Sequence, residues 1–267
     1  MRCAIALVCA ATMFTPWLGK AAPAAGSCFI LHELGVGQIR RAPSSACDVR
    51  VSPQSTFKIP HALAALDAGV ISGVDEKMTY DGRPVDVPLW RQDHTLATAM
   101  RDSVVWYFQE TAKRLGPERE REYLARFNYG NQDSSSGLTS FWLGGSLTIS
   151  PDEQLRFLDG LFEGRLPVSR KAIESVRVIL RQPAGSVVNA AGAHPFGGRW
   201  PEGTVLSAKT GAGPTGDGRT VRWLVGHVRR GSRSWIFVSN VVGGSETPAL
   251  AAVEQAERAL REARVLR

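Results

Sequence analysis

Apolar residues recur along the chain in two rhythms, and the rhythm changes twice. Near the beginning, two short apolar stretches, 27–34 and 36–40, flank Gly35 in the manner of a β-hairpin. From residue 59 the period becomes helical. The run 59–68 is apolar and Ala-rich and stops at Gly69. The run 104–115 puts Val104, Phe108, Ala112 and Leu115 on one face and ends at Gly116-Pro117. Ser150-Pro151-Asp152-Glu153 has the form of a capping box with proline at the first helical position, and Leu155, Leu158, Leu161 and Phe162 follow before Gly164. Residues 169–180 predict one more helix. Strand-like runs return at 204–210, 221–228 and 234–242. Thr247-Pro248 then opens a last helix, with Leu250, Val253 and Leu260 inward and Glu254 and Arg258 as an outer pair. Sheet, helices, then sheet again, without internal repeats or a long low-complexity linker, predicts a mixed α/β fold.

Composition narrows the class. The 267 residues are ample for one large domain or two intimate lobes, and 43% hydrophobic with 21% charged residues is ordinary for a soluble globular protein. The formal charge is +7, yet the arginines are scattered and most lie near Glu or Asp, so the excess reads as a solvated basic surface and not as a nucleic-acid footprint. Arg2, the largely apolar stretch 3–18 and the small-x-small pattern Ala22-Pro23-Ala24 read as a secretory signal over residues 1–24. Pro16 interrupts that stretch, which is short for a membrane span. Cleavage leaves residues 25–267 in the periplasm or secreted, with no membrane segment of their own. Cys3 and Cys9 leave with the signal, and Cys28 and Cys47 remain as an even pair in an exported chain, which predicts a disulfide.

Several motifs carry no chemistry. Gly211-Ala212-Gly213-Pro214-Thr215-Gly216 matches a dinucleotide-binding fingerprint, but Pro214, Asp217 and Gly218 make a turn where that site needs a helix. Lys209-Thr210 lacks the preceding glycine of a phosphate-binding loop, since Ala208 stands there. The five histidines show no ligand spacing, so neither a metal nor a bound cofactor is expected.

Ser55-Thr56-Phe57-Lys58 is different. Only one of the six lysines has a serine three residues before it, and on a helix this spacing sets the amine one turn from the hydroxyl. A serine hydroxyl needs such a neighbouring base to become a nucleophile. A helix N-terminus also offers N–H groups to a developing oxyanion. Lys209-Thr210-Gly211 sits on a run shaped like an edge strand, where Lys and Thr can bind a carboxylate and Gly permits close approach. Ser103 stands at the start of the 104–115 helix, where a serine alone reads as an N-cap.

In this order and at these separations, the three elements resemble the S-x-x-K, S-D-N and K-T-G set of serine β-lactamases and penicillin-binding proteins, with Ser103-Val104-Val105 in place of S-D-N. The middle element, Ser103-Val104-Val105, is similar to that of class D, the oxacillinase type. Tyr129-Gly130-Asn131, Phe141-Trp142-Leu143, the run from Ser146 to Ser150, and Trp223-Leu224-Val225-Gly226 resemble the same class, so the likeness spans residues 28 to about 240.

The resemblance implies an antiparallel sheet flanked by helices (about 25–60 and 195–267) with a helical lobe (about 61–194) and the site between them. It implies hydrolysis of penicillin-type antibiotics, and hence resistance, with Ser55 as nucleophile. Lys58 would be carboxylated by carbon dioxide and act as general base, with Val105, Trp142 and Leu143 around it and Trp142 as hydrogen-bond donor. Ser103 would pass a proton to the β-lactam nitrogen. Lys209, Thr210 and Gly211 would bind substrate, and the N–H groups of Ser55 and Ala212 would form the oxyanion hole. Two departures stand out. Arg222 precedes Trp223 where the family usually has glycine. No Lys or Arg occurs between Arg233 and Arg258, so Leu250 lies near where the family's carboxylate-binding arginine would be, and Arg222 becomes the candidate substitute ahead of Arg219. The competing readings are a β-lactam sensor that stays acylated, a D-alanyl-D-alanine peptidase, and a non-catalytic periplasmic binding protein.

Overall fold

The computed structural model describes residues 26–42 and 46–266; the signal assigned to residues 1–24 lies outside them. Strand β1 (Gly26–Glu33) turns through Gly35, at φ 77°, into β2 (Gly37–Ala42). The chain then crosses a short 3-10 helix, Gln54–Phe57, into α1 (Lys58–Asp67). A minor two-stranded piece, β3 (Lys77–Met78) with β4 (His94–Thr95), leads to α2 (Leu96–Arg101), α3 (Val105–Leu115) and α4 (Pro117–Arg126). Helices α5 (Pro151–Glu163) and α6 (Arg170–Ile179) follow, then the hairpin β5 (Ser186–Asn189) with β6 (Gly192–Pro195). The long strands β7 (Thr204–Pro214), β8 (Thr220–Arg230) and β9 (Arg233–Gly243) and the helix α7 (Ala251–Glu262) complete the chain.

Five strands form one antiparallel sheet in the order β2-β1-β9-β8-β7. Both faces of its centre are buried, which the side-chain alternation permits. Val221, Trp223 and Val225 of β8 and Ile236 and Val238 of β9 join the core beneath α1, α3 and α5. Leu224, Val228, Trp235 and Phe237 face α7. Gly226 is required where it stands, since a Cβ there would lie 2.5 Å from the carbonyl oxygen of Ser207 and 2.9 Å from the Phe237 ring.

The expected elements are present, with adjusted ends. The strands run further than the apolar stretches because their tips, such as Arg229, Arg230 and Arg233, are open to water and need no apolar side chains. Helices α2 and α4 lay outside the expected set. The first has six residues, too few to display a period, and the second is an Arg/Glu-rich segment that buries only Glu120, Tyr123 and Leu124. In α5 the capping box forms as read, with Gly164 left-handed at its end. Glu254 and Arg258 of α7 are both exposed, and Glu257 and Arg261 form an ion pair along that helix at 3.5 Å. Leu250 is the N-cap of α7 and precedes its first turn. Cys28 and Cys47 form a disulfide, with Cα atoms 5.2 Å apart, tying β1 to the segment that leads to the 3-10 helix.

Candidate active site

The turn that carries Ser55 is held from three sides. Gln54 adopts φ 50°, buries its side chain, and donates from Nε2 to the carbonyl of Pro214 at 2.6 Å. Trp223 on β8 donates from Nε1 to the carbonyl of Ser52 at 3.0 Å. Thr56 donates to the carbonyl of Pro53 at 2.7 Å and accepts from Gln154 of α5 at 2.7 Å. Strand β7 presses directly on this turn. A Cβ at Gly211 would lie 3.0 Å from the Pro53 carbonyl oxygen and 3.2 Å from the Thr56 nitrogen, and one at Gly213 would meet the Gln54 amide at 2.4 Å. The glycine of Lys209-Thr210-Gly211 is thus a spacing requirement between two backbones.

Lys58 is the first residue of α1 and is 0% exposed. Its Nζ donates to Ser55 Oγ at 2.7 Å, the one-turn contact that the three-residue spacing predicts. Burial pushes the ammonium well below its ordinary range, and the nearby charge of Lys209 adds to this. The Phe108 ring lies 5.4 Å from Nζ. Trp142, also wholly buried, stacks on Phe57 at 5.5 Å, and its Nε1 has no hydrogen-bond acceptor. The loop that delivers Trp142 is braced by the Tyr129-Gly130-Asn131 motif. Asn131 donates to the carbonyl of Ser146 at 2.8 Å and accepts from the Thr148 N–H at 2.9 Å, and a Cβ at Gly130 would lie 2.1 Å from the Thr148 oxygen. Behind Lys58, His61 and Glu120 form a buried pair, Nε2 to Oε2 3.4 Å, with the His61 ring 5.6 Å from that of Trp142.

Ser103 is not an N-cap, the role its position alone would suggest. The cap of α3 is Val104, without a side-chain bond, and Ser103 sits one residue earlier at φ 58°. That left-handed turn frees the hydroxyl, 5% exposed as a residue, to accept from Lys209 Nζ at 2.9 Å. Lys209 also donates to the Thr210 carbonyl at 3.1 Å. Burial lowers its ammonium to about 7, against the pull of the Asp102 carboxylate.

These groups open on a cleft of about 500 Å³ between the helical side and the edge strand β7. Ser55, Ser103, Val105, Leu143, Thr210, Gly211, Ala212 and Arg222 line it together, while Lys58, Trp142 and Lys209 lie behind its wall. Arg222 is the cross-strand partner of Ala212, so the two side chains share a face. Its guanidinium donates to the carbonyls of Pro248 and Thr247, each at 3.3 Å. Arg219 instead pairs with Asp217 at 2.8 Å. Leu250 and Ala249 occupy the rim beside Arg222.

Sequence reasoning missed part of this lining. Trp90 stands at the lip and donates to the carbonyl of Asp102 at 3.0 Å, and the β5–β6 turn contributes Asn189, Ala190 and Ala191. His194 also lines the cleft, with Nε2 3.1 Å from Asn189 Oδ1. None of these has a local signal, because they converge only through the tertiary fold.

A buried Ser–Lys couple facing a second serine and an edge-strand lysine defines a penicillin-recognising serine acyltransferase site. The chain belongs to the family of the penicillin-binding protein transpeptidase domain, which it matches over residues 36–262, and within it to the class D β-lactamases. It is 35% identical over 213 residues to the probable β-lactamase YbxI of Bacillus subtilis, covering 80% of this chain and 73% of that protein. The crystal structure of FUS-1 (OXA-85), a class D β-lactamase from Fusobacterium nucleatum subsp. polymorphum, superposes with TM-score 0.80 at 27% identity, covering 91% and 94% of the two chains. The regulatory protein BlaR1 of Bacillus licheniformis is 32% identical over 205 residues, which span 77% of this chain but only 31% of BlaR1.

Proposed function

We propose that this chain is exported and hydrolyses penicillin-type antibiotics through an acyl-enzyme on Ser55, with Lys58 carboxylated as the general base, and so confers resistance. The observation that carries the reading is the fully buried Lys58 amine 2.7 Å from the Ser55 hydroxyl. An ammonium cannot accept the serine proton, and burial disfavours that cation. The neutral amine that results can add carbon dioxide and release a proton, which supplies an anionic base at Ser55. The site fits that modification: a buried anion needs a donor, and the Trp142 indole N–H is buried without an acceptor. Val105, Leu143 and Phe108 supply the apolar surroundings.

Ser55 Oγ passes its proton to the base at Lys58 as it attacks the β-lactam carbonyl carbon. The oxygen of that carbonyl, now anionic, accepts from the N–H groups of Ser55 and Ala212. As the carbon–nitrogen bond breaks, Ser103 protonates the departing nitrogen and is resupplied from Lys209, which burial holds near neutral pH. Once the proton taken from Ser55 has replaced the one that Lys209 gave up, water loses a proton to the base at Lys58 as it attacks the ester, and the base returns that proton to the departing Ser55 Oγ. Lys209 and Thr210 hold the substrate carboxylate from one side. Arg222, sharing a face with Ala212, supplies the second positive charge that Leu250 cannot.

Export rests on the apolar leader and on Cys28 and Cys47, since disulfides persist outside the reducing cytosol. The test is turnover of a chromogenic cephalosporin and of oxacillin by the purified mature chain. Many cycles are expected, and Ser55→Ala should lower the rate by several orders of magnitude. One equivalent of acylation followed by silence would overturn hydrolysis in favour of a sensor role, the alternative that the similarity to BlaR1 raises.

A further inference from the structure

A second cavity, of about 480 Å³, lies at the opposite end of the long strands from the cleft. Its floor comprises the cross-strand pair Ser207 and His227, with Arg229 beyond them. Its far wall is the end of α5, with Phe162, and the last turn of α6, with Arg177 and Arg181 just past the helix. Four residues of strand, about 13 Å, separate Ser207 from Gly211, so this cavity is distinct from the site at Ser55.

The strand changes character as it leaves the core and enters this cavity. On β8 the face beneath the helices runs Val221, Trp223, Val225 and then His227 and Arg229. His227 is half-buried and Arg229 exposed, so both side chains line the open cavity and are not packed into the core. The polar groups also lack the partners expected of a structural network. Glu163 is the one acid on the lining and lies 3.5 Å from Arg165. Among the described residues, Arg181 and Arg229 have neither an ion pair nor a side-chain hydrogen bond. Ser207 is 5% exposed and lies on the floor of the cavity. Arg177 is held in place by donating to the carbonyls of Leu161 and Phe162 at 2.6 and 2.5 Å. The His227 ring lies flat on Phe162, with centroids 4.1 Å apart and planes 11° apart.

We propose that this cavity is a binding site for a small oxyanion-bearing molecule, a phosphate or polycarboxylate, clamped by Arg181 and Arg229 over the Ser207 hydroxyl and the His227 ring. Planar guanidiniums match both oxyanions with paired, charge-assisted hydrogen bonds. Three arginines on the lining, against Glu163 and with Glu174 also acting on Arg177, leave an excess of positive charge at Arg181 and Arg229, and a neutral His227 adds a donor without adding charge. Burial and the charges of Arg177 and Arg229 hold that imidazole down to about 4, so it is neutral at physiological pH.

The test uses the full mature chain at fixed ionic strength set by sodium chloride. Inorganic phosphate and citrate are titrated separately, with calorimetry and the ring-proton NMR signals of His227 as readouts. Saturable binding of at least one of the two, with His227 shifting and the other histidines still, is expected. Phosphate alone would assign the site to phosphate compounds, and citrate alone to polycarboxylates. The double substitution Arg181→Gln and Arg229→Gln, both exposed side chains remote from Ser55, should weaken binding about tenfold or more for each guanidinium while leaving β-lactam turnover unchanged. No saturable binding of either ligand, or equal affinity in the double variant, would overturn the proposal.

Discussion

Trp142 holds an indole N–H in a wholly buried place with nothing to accept it, an arrangement that ordinarily costs about 1–3 kcal/mol. That cost is offset if an anion forms on Lys58. Trp142→Phe keeps the stacking on Phe57 and removes only the donor. It should slow turnover, chiefly in deacylation, and added bicarbonate should restore part of the rate. A variant as fast as the parent in bicarbonate-free buffer would contradict the assignment. Arg222 poses the second residue-scale question. Arg222→Ala should raise KM about tenfold or more with a smaller change in kcat, because a contact to the substrate carboxylate is made in the ground state as well as the transition state. Unchanged kinetics would leave carboxylate binding to Lys209 and Thr210.

At the scale of elements, the catalytic set depends on β7 fitting against the Ser55 turn. Gly211→Ala would place a methyl group 3.0 Å from the Pro53 carbonyl oxygen, with backbone and not a flexible tip in the way. The strand must shift, and overpacking of this kind costs about 1–3 kcal/mol. Loss of activity greater than the loss in thermal midpoint is expected, measured by kinetics beside thermal unfolding. The disulfide joins two further segments across 19 residues. A loop of that length contributes about 3 kcal/mol. Protein isolated from the periplasm without reductant should therefore show no free thiol, and Cys28→Ser with Cys47→Ser should lower the midpoint. Two titratable thiols in the native exported chain would contradict it.

The same scale explains what could be read from sequence. Ser55 and Lys58 were legible because their contact is local, three residues along one helix, and the capping box of α5 was legible for the same reason. Lys209 and Arg222 could be placed because β7 and β8 announce themselves by their apolar runs. Ser103 was legible through its motif but not through local helix signals: one residue of left-handed backbone, invisible in the sequence, leaves the cap to Val104 and turns the hydroxyl toward Lys209. Trp90, Asn189 and the cavity-lining His227 and Arg229 needed the sheet register and the loop paths, which no local period encodes.

At the scale of the whole molecule, the interior beneath the helices stores several ionisable groups without ionising them. Burial raises Glu120 from 4.5 to about 8, and burial with the Lys58 charge lowers His61 from 6.5 to about 3, so the pair sits neutral at physiological pH. The signs oppose each other. The Glu120 contribution is fully present below 4.5 and is lost as pH rises through about 8; the His61 contribution is present above 6.5 and is lost as pH falls through about 3. Glu120→Gln, which mimics the protonated acid, should therefore flatten the decline in thermal midpoint between pH 6.5 and 8 relative to the parent; parallel curves would contradict the neutral pair. On the proposed reading, this apolar, weakly ionised interior would keep Lys58 a neutral amine able to take up carbon dioxide. The most direct measurement is the carbon NMR spectrum of the mature chain in buffer containing carbon-13 bicarbonate. A carbamate resonance is predicted that is absent from Lys58→Ala and fades on mild acidification in step with activity, as protonation of the amine competes with carboxylation. Full activity in degassed, bicarbonate-free buffer, with no carbamate resonance after labelling, would contradict it.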